Sequence, residues 1–118
     1  MTFTEFENVV NGSVKEIPEQ FRRILEEKQI SLLAREKVPL PVRQRYKGKT
    51  VFGIFIGTPL GRFFNISTEP TRIELYQESF EEYYSDPDRM KRQILITVVH
   101  EIAHYFGFSE EEIRKLGY

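Results

Sequence analysis

The 118-residue chain carries 17 basic and 18 acidic side chains, a formal net charge of −1, and no cysteine. That balance gives no global field for nucleic acid, and the missing thiols exclude a disulfide framework or a thiolate metal site. The length predicts one domain over residues 1–118 with a real core, and no apolar run approaches the roughly 18 residues of a membrane span.

The start, Met1-Thr2-Phe3-Thr4-Glu5, has neither the basic nor the apolar region of a signal peptide, so the expected setting is a soluble cytoplasmic protein. Thr2 with Glu5 is a capping-box signal, and Phe3, Phe6, Val9 and Val10 follow at helical spacing. Asn11-Gly12 is expected to end this helix. A second helix begins near Pro18, with Phe21, Ile24 and Leu25 inward and a charged, solvated outer face.

The period changes at Ile30. Ile30, Leu32 and Ala34 alternate with Ser31, Leu33 and Arg35, which predicts a first strand within 30–38 that Pro39 and Pro41 break. Residues 42–49 form a basic stretch with a turn, read as a solvated loop. Val51–Ile56 is the most strand-like segment, and Gly57-Thr58-Pro59-Leu60-Gly61 is a loop. Phe63-Phe64 either packs against the sheet or lies exposed near a cleft, core packing being the commoner fate of aromatic pairs. Ile73–Tyr76 reads as a strand with one wet face, and residues 77–85 as a short helix or loop.

Asp86-Pro87-Asp88 is a strong helix start: an Asp cap, Pro at the first helical position and an acid in the first turn. No Gly or Pro interrupts the chain until Gly107. Ile94, Leu95, Val98, Val99, Ile102 and Phe106 fall on one arc, with the Lys91 stem; His100 and His104 fall opposite, with Gln93 and Thr97. Helices segregated around a small mixed sheet make an α+β domain.

His100-Glu101-Ile102-Ala103-His104 reads H-E-x-x-H and holds both histidines of the chain. On a helix the two imidazoles sit one turn apart on one face and can reach a single ion. Glu101 is rotated by roughly 100° from His100. That makes it a poor third ligand but lets its carboxylate reach a water beside the ion, the arrangement of metal-assisted hydrolysis. Gly107 then turns the chain, and Ser109 with Glu112 is a capping box for a last short helix over 110–116. The turn brings Glu110 toward the histidines as a third ligand, with Glu111 as its rival.

The run His100 to Gly107 followed by Ser109-Glu110-Glu111 resembles the small zincin-like metallopeptidases, described as minimal metzincins. The likeness extends upstream through Thr71–Tyr76 and downstream to Leu116-Gly117-Tyr118, and is looser in the first half. The resemblance implies a zincin-like domain with a small mixed sheet against the helix of the motif. It implies zinc held by His100, His104 and an acid at the Glu110 position, where the family usually has Asp, with Glu101 as base. Larger metzincins have a methionine turn downstream; here 14 residues follow His104 and both methionines, Met1 and Met90, lie upstream, so a shallow cleft is expected.

The function expected is zinc-dependent hydrolysis of peptide bonds in a peptide or protein substrate, with no nucleic acid or membrane partner. The alternative is a zinc-binding module that holds peptides and hydrolyses little. A structural zinc is closed by four protein ligands, whereas two histidines and one carboxylate leave a position open, which favours catalysis. Such a set also accepts iron, cobalt or nickel. The sequence identifies no oxyanion donor besides zinc: Tyr46, Tyr76 and Tyr118 are candidates, but a hydrogen-bonded structural role is the commoner fate of each. In zincin-like folds an extended peptide adds to a sheet edge, supplied here by Ile73–Tyr76 or Val51–Ile56.

Overall fold

The computed structural model describes residues 1–57 and 71–118. The readings of Thr58–Gly61 and of Phe63-Phe64 lie outside the described residues.

Helix α1 (Phe3–Ser13) starts where expected, with the Thr2 hydroxyl accepting from the Glu5 N–H at 3.1 Å. It does not stop at Asn11-Gly12. It runs on into a 3-10 turn, Val14–Glu16, because Val10, Ser13 and Ile17 all face the core. The buried Ser13 hydroxyl is satisfied by donating to Val10 O at 2.7 Å. Helix α2 (Glu19–Glu27) follows Pro18 and buries Phe21 and Leu25, as its periodicity predicts.

Strand β1 (Ser31–Arg35) is shorter than the 30–38 segment expected. The proline pair after it does more than break a strand. Pro39 caps helix α3 (Leu40–Arg45), with Pro41 in its first turn. Proline suits that place because the first helical N–H groups have no partner to lose. The basic stretch is therefore partly helical, and Arg43 pairs with Glu78 instead of standing free in solvent.

Strands β2 (Gly53–Ile56) and β3 (Arg72–Tyr76) complete a mixed sheet of order β1-β3-β2 among the described residues. β3 runs parallel to β1 and antiparallel to β2. The expected wet face of β3 is absent: Ile73, Glu74, Leu75 and Tyr76 are all buried. Glu74 is tolerated there because Arg72 Nε (2.7 Å), Arg35 Nε (3.1 Å) and the Tyr76 hydroxyl (3.1 Å) all reach its carboxylate.

Helix α4 (Gln77–Tyr83) leads into α5 (Pro87–Tyr105), capped by Asp86 accepting from Asp88 N–H at 3.2 Å. α5 buries Met90, Ile94, Leu95, Val98, Val99, Ile102 and Ala103 against α1, α2 and the sheet. Thr97 is buried as well, against the expectation from its arc, with its hydroxyl donating to Gln93 O at 2.8 Å. Helix α6 (Glu110–Lys115) carries both halves of the Ser109–Glu112 capping box. The α+β class expected from the sequence is the one observed. Among the described residues, no helix is long and apolar enough to cross a membrane.

Candidate metal centre

The site begins with how α5 ends. Gly107 has φ +84°, its N–H donates to His104 O (3.1 Å), and the Phe108 N–H donates to Ala103 O (2.9 Å). This is the paired 6→1 and 5→2 pattern of a Schellman motif, which needs a left-handed residue at the glycine. Phe108 then packs edge-on to Phe21, ring centroids 5.2 Å apart, which fixes the direction of the reversal. The Ser109 box starts α6 at once, so Glu110 emerges facing back toward α5.

The result is a cluster. His104 Nε2 lies 2.6 Å from Glu110 Oε1, and His100 Nδ1 lies 3.9 Å from the same oxygen. One atom from each of the three residues falls within 4.8 Å of the others. Tetrahedral zinc with bonds of about 2.1 Å places its ligand atoms about 3.4 Å apart, so the observed separations of 2.6 and 3.9 Å bracket what the ion requires. Two imidazoles and a carboxylate suit zinc chemically. Glu111, the rival for third position, points elsewhere and pairs with Lys115 at 3.5 Å. Among the described residues the cluster contains no fourth ligand.

Glu101 stands beside the cluster. Burial pushes its carboxyl above the ordinary glutamate value; His104, a hydrogen bond from the Phe55 backbone and His100 pull the other way. Phe55 belongs to β2, which among the described residues is the sheet edge nearest α5. The Tyr76 N–H donates to Phe52 O at 2.9 Å. With the alternation of an antiparallel ladder, Gly53 and Phe55 therefore turn their backbone groups away from β3. β3 is paired on both sides, so of the two segments considered, the one within Val51–Ile56 supplies the sheet edge among the described residues. A cavity of about 420 Å³ runs along it, lined by Phe52, Ile54, Ile96, His100, Glu101 and others. The Phe55 ring stacks on Tyr105 at 3.9 Å between centroids, holding edge strand and helix together.

A family profile for zincin-like metallopeptidases matches residues 29–118. The chain belongs to this family. Among solved structures, this zincin-like chain is similar to a conserved hypothetical protein from T. thermophilus, with TM-score 0.60 and 23% identity over 89% of this chain and 94% of that one. That likeness speaks to the fold. No functionally curated protein matches. The zincin-like assignment carries the coarse expectation of a metallopeptidase that binds zinc, and the three-residue cluster fits that group.

Several participants were not legible in the residue pattern. The Phe55 N–H that holds Glu101 is a backbone group with no side-chain signature. The backbone oxygen of Tyr118, 2.9 Å from His100 Nε2, is another. Of the tyrosines weighed as oxyanion donors, Tyr76 is fully buried and donates to Glu74, which removes it, while Tyr46 lines the cavity.

Proposed function

We propose that this protein is a zinc-dependent peptide hydrolase in which His100, His104 and Glu110 hold the ion and Glu101 is the general base. One observation carries the reading: residues from two helices converge with the correct donor set, directly beside a desolvated carboxylate.

Zinc held there would supply Lewis acidity, enough to polarise a carbonyl and to bring the acidity of water toward about pH 7. The remaining work belongs to the chain. Glu101 takes a proton from the attacking water on its carboxylate and delivers it to the leaving amine nitrogen. Burial raises its basicity toward the working pH, and the Phe55 N–H fixes its orientation. An extended peptide lies along the edge that β2 presents among the described residues, exchanging hydrogen bonds with the backbone of Gly53 and donating to Phe55 O, while the Phe55 N–H stays on Glu101. One of its side chains enters the cavity between Ile54 and Ile96. Peptide is thus the substrate class, in preference to nucleic acid or lipid.

A second reading keeps the site but not the turnover: a zinc-bearing module that binds peptides. It is favoured by exposure, since the side chains of His104 and Glu110 are 48% and 57% accessible. Cleavage of a peptide library by the zinc-loaded protein and by Glu101→Gln separates the two. The hydrolase reading predicts cleavage by the wild type, with Glu101→Gln retaining zinc and losing roughly 10²–10⁴-fold in rate. Zinc retained by the wild type with no peptide cut at any pH selects the binding module.

A further inference from the structure

The basic stretch 42–49 divides in the structure. Arg43 is engaged by Glu78, and the Arg45 guanidinium stands 5.6 Å from the centroid of the Tyr46 ring. Lys49 is exposed and has no acidic partner among the described residues. It lies on the wall of the same cavity of about 420 Å³ that His100 and Glu101 line. Lys49 also borders a second hollow that holds Glu78 and Glu82, yet it pairs with neither.

Helix α5 supplies the other polar group. Gln93 precedes His100 by about two turns and lines the cavity. Its side-chain oxygen already accepts from the Tyr84 hydroxyl at 3.1 Å. A carboxamide has one acceptor oxygen and two N–H donors. With the oxygen engaged, the two Nε2 hydrogens are what Gln93 has left to offer, and nothing among the described residues accepts them. The proton of Thr97, on the same wall, is taken by Gln93 O. Val51, Ile54 and Ile96 make much of the remaining surface apolar.

The cavity therefore offers an ammonium and an amide N–H₂, neither of which accepts a hydrogen bond. A ligand must bring the acceptor, and the charge of Lys49 favours an anionic one. The one carboxylate on the wall among the described residues, Glu101, is engaged by the Phe55 N–H and faces the proposed chemistry. We infer that this cavity is a carboxylate pocket: it takes a carboxylate of the substrate, on a glutamate side chain or on a C-terminal residue, which accepts from Gln93 Nε2 and Lys49 Nζ while the adjoining carbons lie against Ile54 and Ile96. The substrate class narrows to peptides with a carboxylate at that position.

The inference rests on the peptide reading of the site, so its test has one arm that needs turnover and one that does not. Two peptide pairs are compared, each replacing a carboxylate by its isosteric amide. One pair has Glu or Gln, moved along the internal positions of a C-terminally amidated peptide. The other has a free or an amidated C-terminus on a peptide without acidic side chains. Zinc-loaded wild type, Lys49→Ala and Gln93→Glu are assayed for kcat/KM. The metal-free proteins are titrated with the same peptides, and binding is read from the ¹H–¹⁵N shifts of the backbone amides of residues 49–54.

Wild type is expected to favour the carboxylate of one pair by about 5- to 10-fold, the margin of a charge-assisted over a neutral hydrogen bond. That pair identifies the source of the carboxylate. The ratio is expected to shrink in Lys49→Ala and with added salt, and to fall to 1 or below in Gln93→Glu. No preference in either pair overturns the pocket, as does a preference that neither variant changes. Peptides cut without preference remove the pocket and leave the hydrolase standing. A carboxylate preference in binding without cleavage keeps the pocket and removes turnover. If Gln93→Glu does not fold, Lys49→Ala, at an exposed position, decides alone.

Discussion

His104 Nε2 and Glu110 Oε1 lie 2.6 Å apart although a complete chain reversal separates them. The reversal depends on Gly107, whose φ of +84° an L side chain enters at a cost of roughly 1–2 kcal/mol. Among the described residues, its chain neighbours apart, no atom lies within 4 Å of where its Cβ would be, so the cost of a substitution is conformational rather than steric. Gly107→Ala is expected to lower stability by about 1 kcal/mol and to weaken zinc binding by displacing Glu110. Denaturant melts and chelator competition measure the two effects. An alanine variant with unchanged zinc affinity means that the turn does not set the ligand.

Neighbouring acids at the start of α6 are expected to behave differently. Glu110→Ala removes a member of the cluster and should cost more than about 100-fold in zinc affinity, beyond the usual loss for a residue behind a ligand. Among the described residues Glu111→Ala breaks an exposed pair with Lys115, and it should leave affinity at the wild-type value. The opposite pattern transfers the third position to Glu111.

Why the sequence left these two unresolved is a matter of geometry. Adjacent residues in a first turn differ by a rotation of about 100°, and which one faces α5 depends on the angle at which the chain leaves Gly107. That angle is set by Phe108 against Phe21, a tertiary contact. α5 itself was legible because its cap, its uninterrupted length and its apolar arc agree. The buried state of β3 was not, because Glu74 signals a wet face unless Arg35, on a different strand, is known to reach it. Helix α3 is not legible because prolines directly after a strand signal a break, whereas Pro39 and Pro41 start the helix.

Glu101 should cost the metal-free protein stability at neutral pH. Its folded value lies above the ordinary glutamate value, burial being the main cause. The stabilisation it contributes is therefore complete below about pH 4.3 and is lost as the pH rises through the folded value. Glu101→Gln, stripped of metal, is expected to melt higher than the stripped wild type at pH 7, with the gap closing near pH 4. An equal gap at both pH values contradicts the assignment to a buried charge.

Tyr76 predicts a weakness at the alkaline end. Burial, then the neighbouring Glu74 carboxylate, raises its hydroxyl far above the ordinary tyrosine value. Folding stability from this group is complete below about pH 10 and declines as the pH climbs toward the folded value. Tyr76→Phe removes that dependence but leaves Glu74 without one donor, at about 1–2 kcal/mol. Urea melts at pH 7 and pH 10.5 are expected to show the variant weaker at the first and less pH-sensitive across the interval.

Whether His100, His104 and Glu110 hold a metal ion is tested most directly by zinc stoichiometry, measured by elemental analysis. The measurement is made on wild type, His104→Ala and Glu110→Ala, each purified without chelator, offered excess zinc and freed of loose ion. One zinc per wild-type chain, with little or none in either variant, is the predicted result. No zinc on the wild type, or an undiminished zinc content in His104→Ala, contradicts it.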